Sequence, residues 1–204
     1  TPSFSLLGAS DATGVDGSTT ASIMDVRADS MFMYTSPRIN GIQVVVGTSG
    51  DKVDSTSGTT VTESDIKDFT VSYAAGPLFV AAGSYAVNST AASVVTAEIT
   101  IKTIAATYDL GVAKLYFNKL TNSQSSVDNA ETNYGVKMPM GAVTLLAGYG
   151  RNTADSSTSS TDYTIGADYA FSKRTNAYAR IAKGQAVNAG TITKEVYVGV
   201  RHSF

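Results

Sequence analysis

Apolar and polar residues alternate with a period of two along most of this 204-residue chain. In the last ten residues, EVYVGVRHSF, the valines and the final phenylalanine share one parity, while Glu, Tyr, Gly, Arg and Ser share the other. Such alternation is typical of a β-strand with one apolar and one polar face. It predicts an all-β fold of eleven strands with no helical segment between them, near residues 31–37, 42–48, 68–75, 78–87, 97–109, 112–120, 132–138, 142–151, 162–171, 176–184 and 194–204.

The predicted connections are of two kinds, which alternate along the chain. Five are tight and contain turn-forming residues: SPRING at 36–41, AGP at 75–77, DLG at 109–111, PMG at 139–141 and SKRTN at 172–176. The others are longer and rich in Ser, Thr, Asp and Asn, at 49–67, 88–96, 121–131, 152–161 and 185–193. A barrel in a bacterial outer membrane has short periplasmic turns and longer outer loops. A soluble sandwich has no reason to sort its connections by end.

The polarity of the two strand faces also favours a membrane barrel. In segment 162–171 one parity is apolar or aromatic, and the other carries small and acidic residues. A packed soluble core would need the second face to be apolar as well. We therefore predict a transmembrane antiparallel up-and-down β-barrel, with the apolar parity facing lipid and the other facing water. Aromatic residues near strand ends on the apolar parity fit interfacial girdles: Phe69, Tyr108, Tyr163, Tyr169, Phe171 and Phe204.

Composition argues against several other functions. The charged fraction, 16%, is below the roughly 25% of soluble domains. A net charge of −2 argues against nucleic-acid binding, which needs a basic excess. The chain has no cysteine and one histidine, so cysteine metal sites and two-histidine motifs cannot form. No nucleophile elbow, P-loop or dinucleotide fingerprint occurs. We expect no enzyme activity, no cofactor and no metal.

The strand count raises the question of whether the barrel is complete. Closed single-chain bacterial barrels have an even number of strands, and eleven is odd. Either this chain carries part of a larger barrel, or SFSLLGAS at 3–10 supplies a twelfth strand of a small complete one. Residues 3–10 alternate poorly, so the larger barrel is the preferred interpretation.

Segments along nearly the whole chain resemble Gram-negative general porins of the beta-proteobacterial and neisserial type. They are TPSFSLLGASDATGVDG (1–17), VRADSMFMYTSP (26–37), ATYDLGVAKLYF (106–117), YAFSKRTNAYARIA (169–182) and YVGVRHSF (197–204). The resemblance implies a sixteen-stranded trimeric barrel, with residues 1–28 as the inward-folded third loop and residues 29–204 as the last eleven strands. It also implies that Phe204 is an assembly signal for the barrel-insertion machinery. Met33 and Thr35 stand where relatives often have an arginine and an aspartate.

The expected function is passive diffusion of small hydrophilic solutes and ions through a water-filled channel in the outer membrane, with selectivity set by pore width and charge. Expected partners are a homotrimer, outer-membrane lipid and lipopolysaccharide, the insertion machinery and the solutes, but no nucleic acid. By parity, the candidate pore-wall charges are Lys114, Lys137, Asp168, Arg180, Glu195 and Arg201. The candidate constriction residues are Asp11, Asp16 and Asp25, with Arg27 at the exit of the loop.

Two alternatives come from other functional classes. A surface adhesin or antigen would bind through long aromatic or basic loops, whereas the predicted loops are short and Ser/Thr-rich. A small barrel acting as a membrane anchor requires residues 3–10 to form a paired strand. Stepwise conductance in threes across a planar bilayer would favour the trimeric channel over both.

Overall fold

The computed structural model describes residues 31–49, 62–91, 94–124, 127–154, 159–186 and 192–204. In these ranges the chain forms eleven antiparallel strands, and each strand pairs only with its neighbours in sequence. The strands are β1 (Met31–Thr35), β2 (Ile42–Ser49), β3 (Thr62–Ala75), β4 (Leu78–Ala91), β5 (Val94–Asp109), β6 (Lys114–Gln124), β7 (Val127–Met140), β8 (Val143–Ala154), β9 (Ser160–Ala170), β10 (Thr175–Ala186) and β11 (Ile192–His202). The prediction of an all-β, up-and-down antiparallel sheet of eleven strands is confirmed. None of the described segments contains a helix long and apolar enough to cross a bilayer.

Most strands are longer than the alternation predicted, and most of the added length lies next to the long connections. β3 begins at Thr62 instead of near residue 68, and β7 begins at Val127 instead of near residue 132. The added segments are rich in Ser, Thr, Asn and acidic residues, which had been assigned to loops. Their backbone groups nevertheless pair across the hairpin, as at Asp65 and Asn88. Backbone pairing satisfies N–H and C=O groups whatever the side chains are, so the strands continue past the apolar alternation.

The short connections are tight hairpin turns, as predicted. In the first, Asn40 and Gly41 both have positive φ, 49° and 83°, as a two-residue type I′ turn requires. A Cβ atom at Gly41 would lie 2.5 Å from the carbonyl oxygen of Ala74 in the adjacent strand. In the last, the Ser172 hydroxyl accepts the backbone N–H of Thr175 at 3.1 Å. Each turn sets the register of the two strands that it joins.

Two neighbouring rows of paired residues show how different the two faces are. The first row crosses β5 to β11 and is wholly apolar: Tyr108, Leu115, Val136, Ala147, Ile165, Ile181 and Val196. The second, one residue along each strand, lies on the opposite face: Asp109, Lys114, Lys137, Leu146, Gly166, Arg180 and Tyr197. We call the face of the first row the apolar face and that of the second the polar face.

Exposure is inverted relative to a soluble protein. Ile165 and Val196 on the apolar face are 59% and 71% exposed, whereas Leu146 and Arg180 on the polar face are 7% and 6% exposed. Every buried residue of the described strands lies on the polar face. Outside the turns, every exposed large apolar side chain of the described residues except Met33, in edge strand β1, lies on the apolar face. The side chains of the polar face are the less exposed ones because side chains are crowded together on the inner side of a sheet that curves around that face.

Aromatic side chains occupy two levels of the apolar face. The six predicted girdle residues are all exposed there, and Tyr108, Tyr169 and Phe171 lie near the short turns. Nearer the long connections, four consecutive strands, β6 to β9, place aromatic rings side by side in one row: Phe117, Tyr134, Tyr149 and Tyr163. Successive ring centroids in this aromatic row are 5.4, 6.3 and 5.1 Å apart. Aromatic belts at both ends of an apolar band are typical of a transmembrane barrel.

Candidate functional site

The polar face carries all six charged residues that were predicted to line the wall. The pairing registers place there Lys114, Lys137, Asp168, Arg180, Glu195 and Arg201. The four candidate constriction residues, Asp11, Asp16, Asp25 and Arg27, lie outside the described residues. No group of three or more His, Cys, Asp or Glu side chains suited to a metal ion occurs in the described part of the chain.

A pair of lysines forms a positive patch near the short turns. Lys114 and Lys137 are directly opposite each other in β6 and β7. Both ammonium groups lie 5.7 Å from the centroid of the Tyr116 ring, whose negative face offsets part of their repulsion. Asp109 is the next residue of the same row, but its carboxylate accepts the Gly111 N–H at 2.8 Å and so stabilises the turn. The two lysines therefore present a concentrated positive charge to the polar face.

A partly buried ion pair joins β9 and β10 on the same face. Arg180 Nη2 donates to Asp168 Oδ1 at 2.6 Å, and Arg180 Nη1 donates to the carbonyl oxygens of Ala167 and Ala179 at 3.0 Å each. The guanidinium also lies 5.8 Å from the Tyr178 ring. Because its charge is paired and its position is fixed by three acceptors, Arg180 contributes less to the field over the polar face than the two lysines do.

Two glycines allow large side chains to lie flat against this wall. A Cβ atom at Gly166 would collide with the side chain of Arg180 and would lie 2.7 Å from the Ala179 carbonyl oxygen. At Gly199, it would lie 2.6 Å from Cζ of the Tyr178 ring. Glycine inside a strand often marks such a close approach. That signal could have identified both positions from the sequence, but they were not predicted.

Acidic residues lie on the polar face in the strand halves nearer the long connections. They include Glu131, Asp162 and Glu195, of which only Glu195 was predicted as a wall residue. Asn133 donates to Glu131 at 2.6 Å, and Tyr197 donates to Glu195. Strand parity alone would have found the other two. The polar face thus carries charges of both signs along its length, with the lysine pair near the short turns, which is a surface suited to water and hydrated ions.

The remaining predicted residues lie at the sheet edges. Phe204 follows β11 and is fully exposed, with its ring centroid 4.9 Å from that of His202. His202 Nδ1 lies 2.8 Å from the Thr175 hydroxyl, which holds the end of β11 against β10. Met33 and Thr35 point to the polar face of β1, opposite Gly47 and Val45.

Solved porin structures share this fold. An anion-selective porin from Comamonas acidovorans superposes with a TM-score of 0.72 and 20% identity, covering 87% of this chain and 60% of that chain. A loop L8 deletion mutant of OmpT, an outer membrane protein of Vibrio cholerae, gives 0.70 and 16%, covering 94% and 69%. Salmonella typhi OmpF in complex with daunomycin gives 0.68 and 13%, covering 85% and 61%. The chain therefore spans about three fifths of the length of the first of these porins.

Sequence comparison identifies the family. No curated protein matches the chain significantly. A family model described as Gram-negative porin matches residues 2–189, which is most of the chain. The lipid-suited apolar face, the charged polar face and the alternation of short and long connections agree with that match. The chain therefore belongs to the Gram-negative porin family of the bacterial outer membrane.

Proposed function

We propose that the complete protein forms a water-filled channel for passive diffusion of small hydrophilic solutes and ions. The observation that carries the proposal is the contrast between two rows one residue apart, one wholly apolar and the other bearing Lys114, Lys137 and Arg180. Water-filled barrels need an apolar outside and a polar inside. Selectivity then comes from pore width and from the charges on the wall, without chemistry on the solute.

The complete barrel proposed here has sixteen strands and assembles as a homotrimer. β1 and β11 are the edges of the described sheet, and each needs a further strand to close a barrel. Support comes from the length of the solved porins and from Vibrio cholerae OmpT, which has been solved in a trimer form. Residues 1–28 are proposed as the constriction loop, with Asp11, Asp16, Asp25 and Arg27 narrowing the channel. The other proposed partners are outer-membrane lipid with lipopolysaccharide, and the insertion machinery, which would read Phe204.

Charge reversal on the polar face tests the function. The double variant Lys114→Glu/Lys137→Glu changes the wall by four charge units near the short turns. Two unit charges 4 Å apart in water interact by about 1 kcal/mol, so we expect at least about a twofold shift of the permeability ratio toward cations. The measurement is the reversal potential of the full-length protein in a planar bilayer under a salt gradient.

Lys119→Glu is the matched control, because Lys119 lies in β6 like Lys114 but on the apolar face. It should leave the reversal potential unchanged. Current steps in groups of three would support the trimer. A protein that inserts without conducting would contradict the channel and favour the adhesin or anchor alternatives.

A further inference from the structure

Two like charges of the polar face lie opposite each other without an acid to neutralise them. Lys114 and Lys137, here called the lysine pair, are directly opposed in β6 and β7, and opposed like charges destabilise a sheet. Among the side chains that the structure describes, neither lysine forms an ion pair. Asp109, directly opposite Lys114, bonds to the backbone of the turn, and Asp168 is paired with Arg180. The lysine pair is therefore a positive site that an anion from solution can neutralise.

The two ammonium groups lean toward the same point of the wall. Each lies 5.7 Å from the centroid of the Tyr116 ring, which is two residues along β6 from Lys114. Directly opposed side chains are about 5 Å apart at Cβ, so both ammonium groups are within reach of a single tetrahedral anion. A lysine ammonium has three rotatable hydrogen-bond donors and binds phosphate as a point charge. The lysine pair is therefore suited to one anion shared between the two strands.

The wall beside the lysine pair has room for a small solute. Lys114, Lys137 and Tyr116 are all half-buried, so none of them is sealed within the sheet. Gly135 lies directly opposite Tyr116 in β7 and carries no side chain, so β7 places nothing across from the ring. The Tyr116 hydroxyl is a further hydrogen-bond donor for an oxygen atom of the solute. An anion that carries a short organic group therefore has space next to the two ammonium groups.

We propose that the lysine pair and Tyr116 form a binding site for small phosphate monoesters within the channel. This inference rests on the proposed function, because the solute reaches the site only if the polar face lines a water-filled path. A phosphate monoester carries about −1.5 to −2 charges at neutral pH, so its one phosphate group neutralises both lysines. A singly charged anion neutralises only one of them and binds more weakly. Passage of phosphate monoesters through the channel should therefore saturate, whereas that of uncharged solutes of the same size should not.

The test measures binding of methyl phosphate to the full-length protein in neutral detergent, by phosphorus NMR line broadening at neutral pH. Lys114→Gln/Lys137→Gln should weaken binding at least tenfold. Lys119→Gln/Lys183→Gln is the matched control, because it removes the same number of charges from the apolar face of β6 and β10 and should bind as the wild type does. Equal affinity of the lysine-pair variant and the wild type would overturn the proposal.

A second arm uses only the wild type, so a folding defect of a variant cannot obscure it. Methyl phosphate and dimethyl phosphate are compared at the same neutral pH, where the diester carries a single negative charge. The monoester should bind at least tenfold more tightly, and equal affinities would show that the proposal is wrong. Conductance in a planar bilayer separates this site from the channel. A wild type that binds methyl phosphate but stays silent contradicts only the channel, and one that conducts but binds both esters equally contradicts only the site.

Discussion

A charge placed in the middle of the apolar face should destabilise the barrel strongly. Ile165 lies at the centre of β9 and is 59% exposed, and its row is apolar in all seven strands from β5 to β11. Arginine at the bilayer midplane of such a face costs about 2–4 kcal/mol. Since about 1.36 kcal/mol corresponds to a tenfold change in an equilibrium constant, Ile165→Arg should raise the equilibrium constant for unfolding by a factor of roughly 30 to 900.

Two control variants isolate the effect of the face and of depth. Thr164→Arg introduces the same side chain on the polar face of β9, away from lipid, and should cost less than Ile165→Arg. Tyr169→Arg keeps the apolar face but lies near the short turn, where the cost should be about 0–1 kcal/mol. The assay is urea unfolding of the full-length protein in lipid vesicles, followed by tyrosine fluorescence. If Thr164→Arg costs as much as Ile165→Arg, the assignment of the faces is wrong.

Three further outcomes are expected. Gly111→Ala, at a positive φ in open space, should lower the free energy of unfolding by about 1 kcal/mol. Gly41→Ala should lower it by about 1 kcal/mol more, because its Cβ meets a backbone carbonyl. Equal losses in urea unfolding would refute the close approach at Gly41. Gly166→Ala should displace the Arg180 guanidinium of the wall ion pair and change single-channel conductance. Gly148→Ala, whose added Cβ would have its nearest contact at 3.7 Å, should leave the conductance unchanged. Identical conductances of the two variants would contradict the packing described. Phe204→Ala should lower the amount of folded protein in the outer membrane of cells but leave refolding into pure lipid vesicles unchanged. A loss in both assays would show that Phe204 stabilises the fold and is not a signal read by the insertion machinery.

The fold was predictable because its determinants are local. Period-two alternation assigns the faces residue by residue, and turn chemistry such as Asn40-Gly41 marks each hairpin. Strand ends such as Thr62 were missed because backbone pairing continues where side-chain alternation stops. The alternation of side-chain polarity stops before Thr62, but the hydrogen-bonded ladder continues to it.

The site was only partly predictable, because parity gives a face but no partners. Lys114 and Arg180 were both assigned to the wall, yet one presents its charge and the other is held by Asp168. That difference depends on cross-strand register and on the room left by Gly166. Basic residues such as Arg151 also lie on the apolar face and were not predicted there, because a face assigned from its apolar majority does not reveal the charged residues near one end of a strand.

The pairing of each strand with its chain neighbours alone has a consequence for evolution. Every hairpin closes over a short stretch of sequence, and the entropy of closing a connection rises by only about 0.6 kcal/mol for each doubling of its length. Insertions, deletions and replacement of the long connections should therefore leave the ladder of the wall intact. A lineage under immune or phage pressure can therefore exchange the sequences of its long connections while the strand order of the wall stays the same.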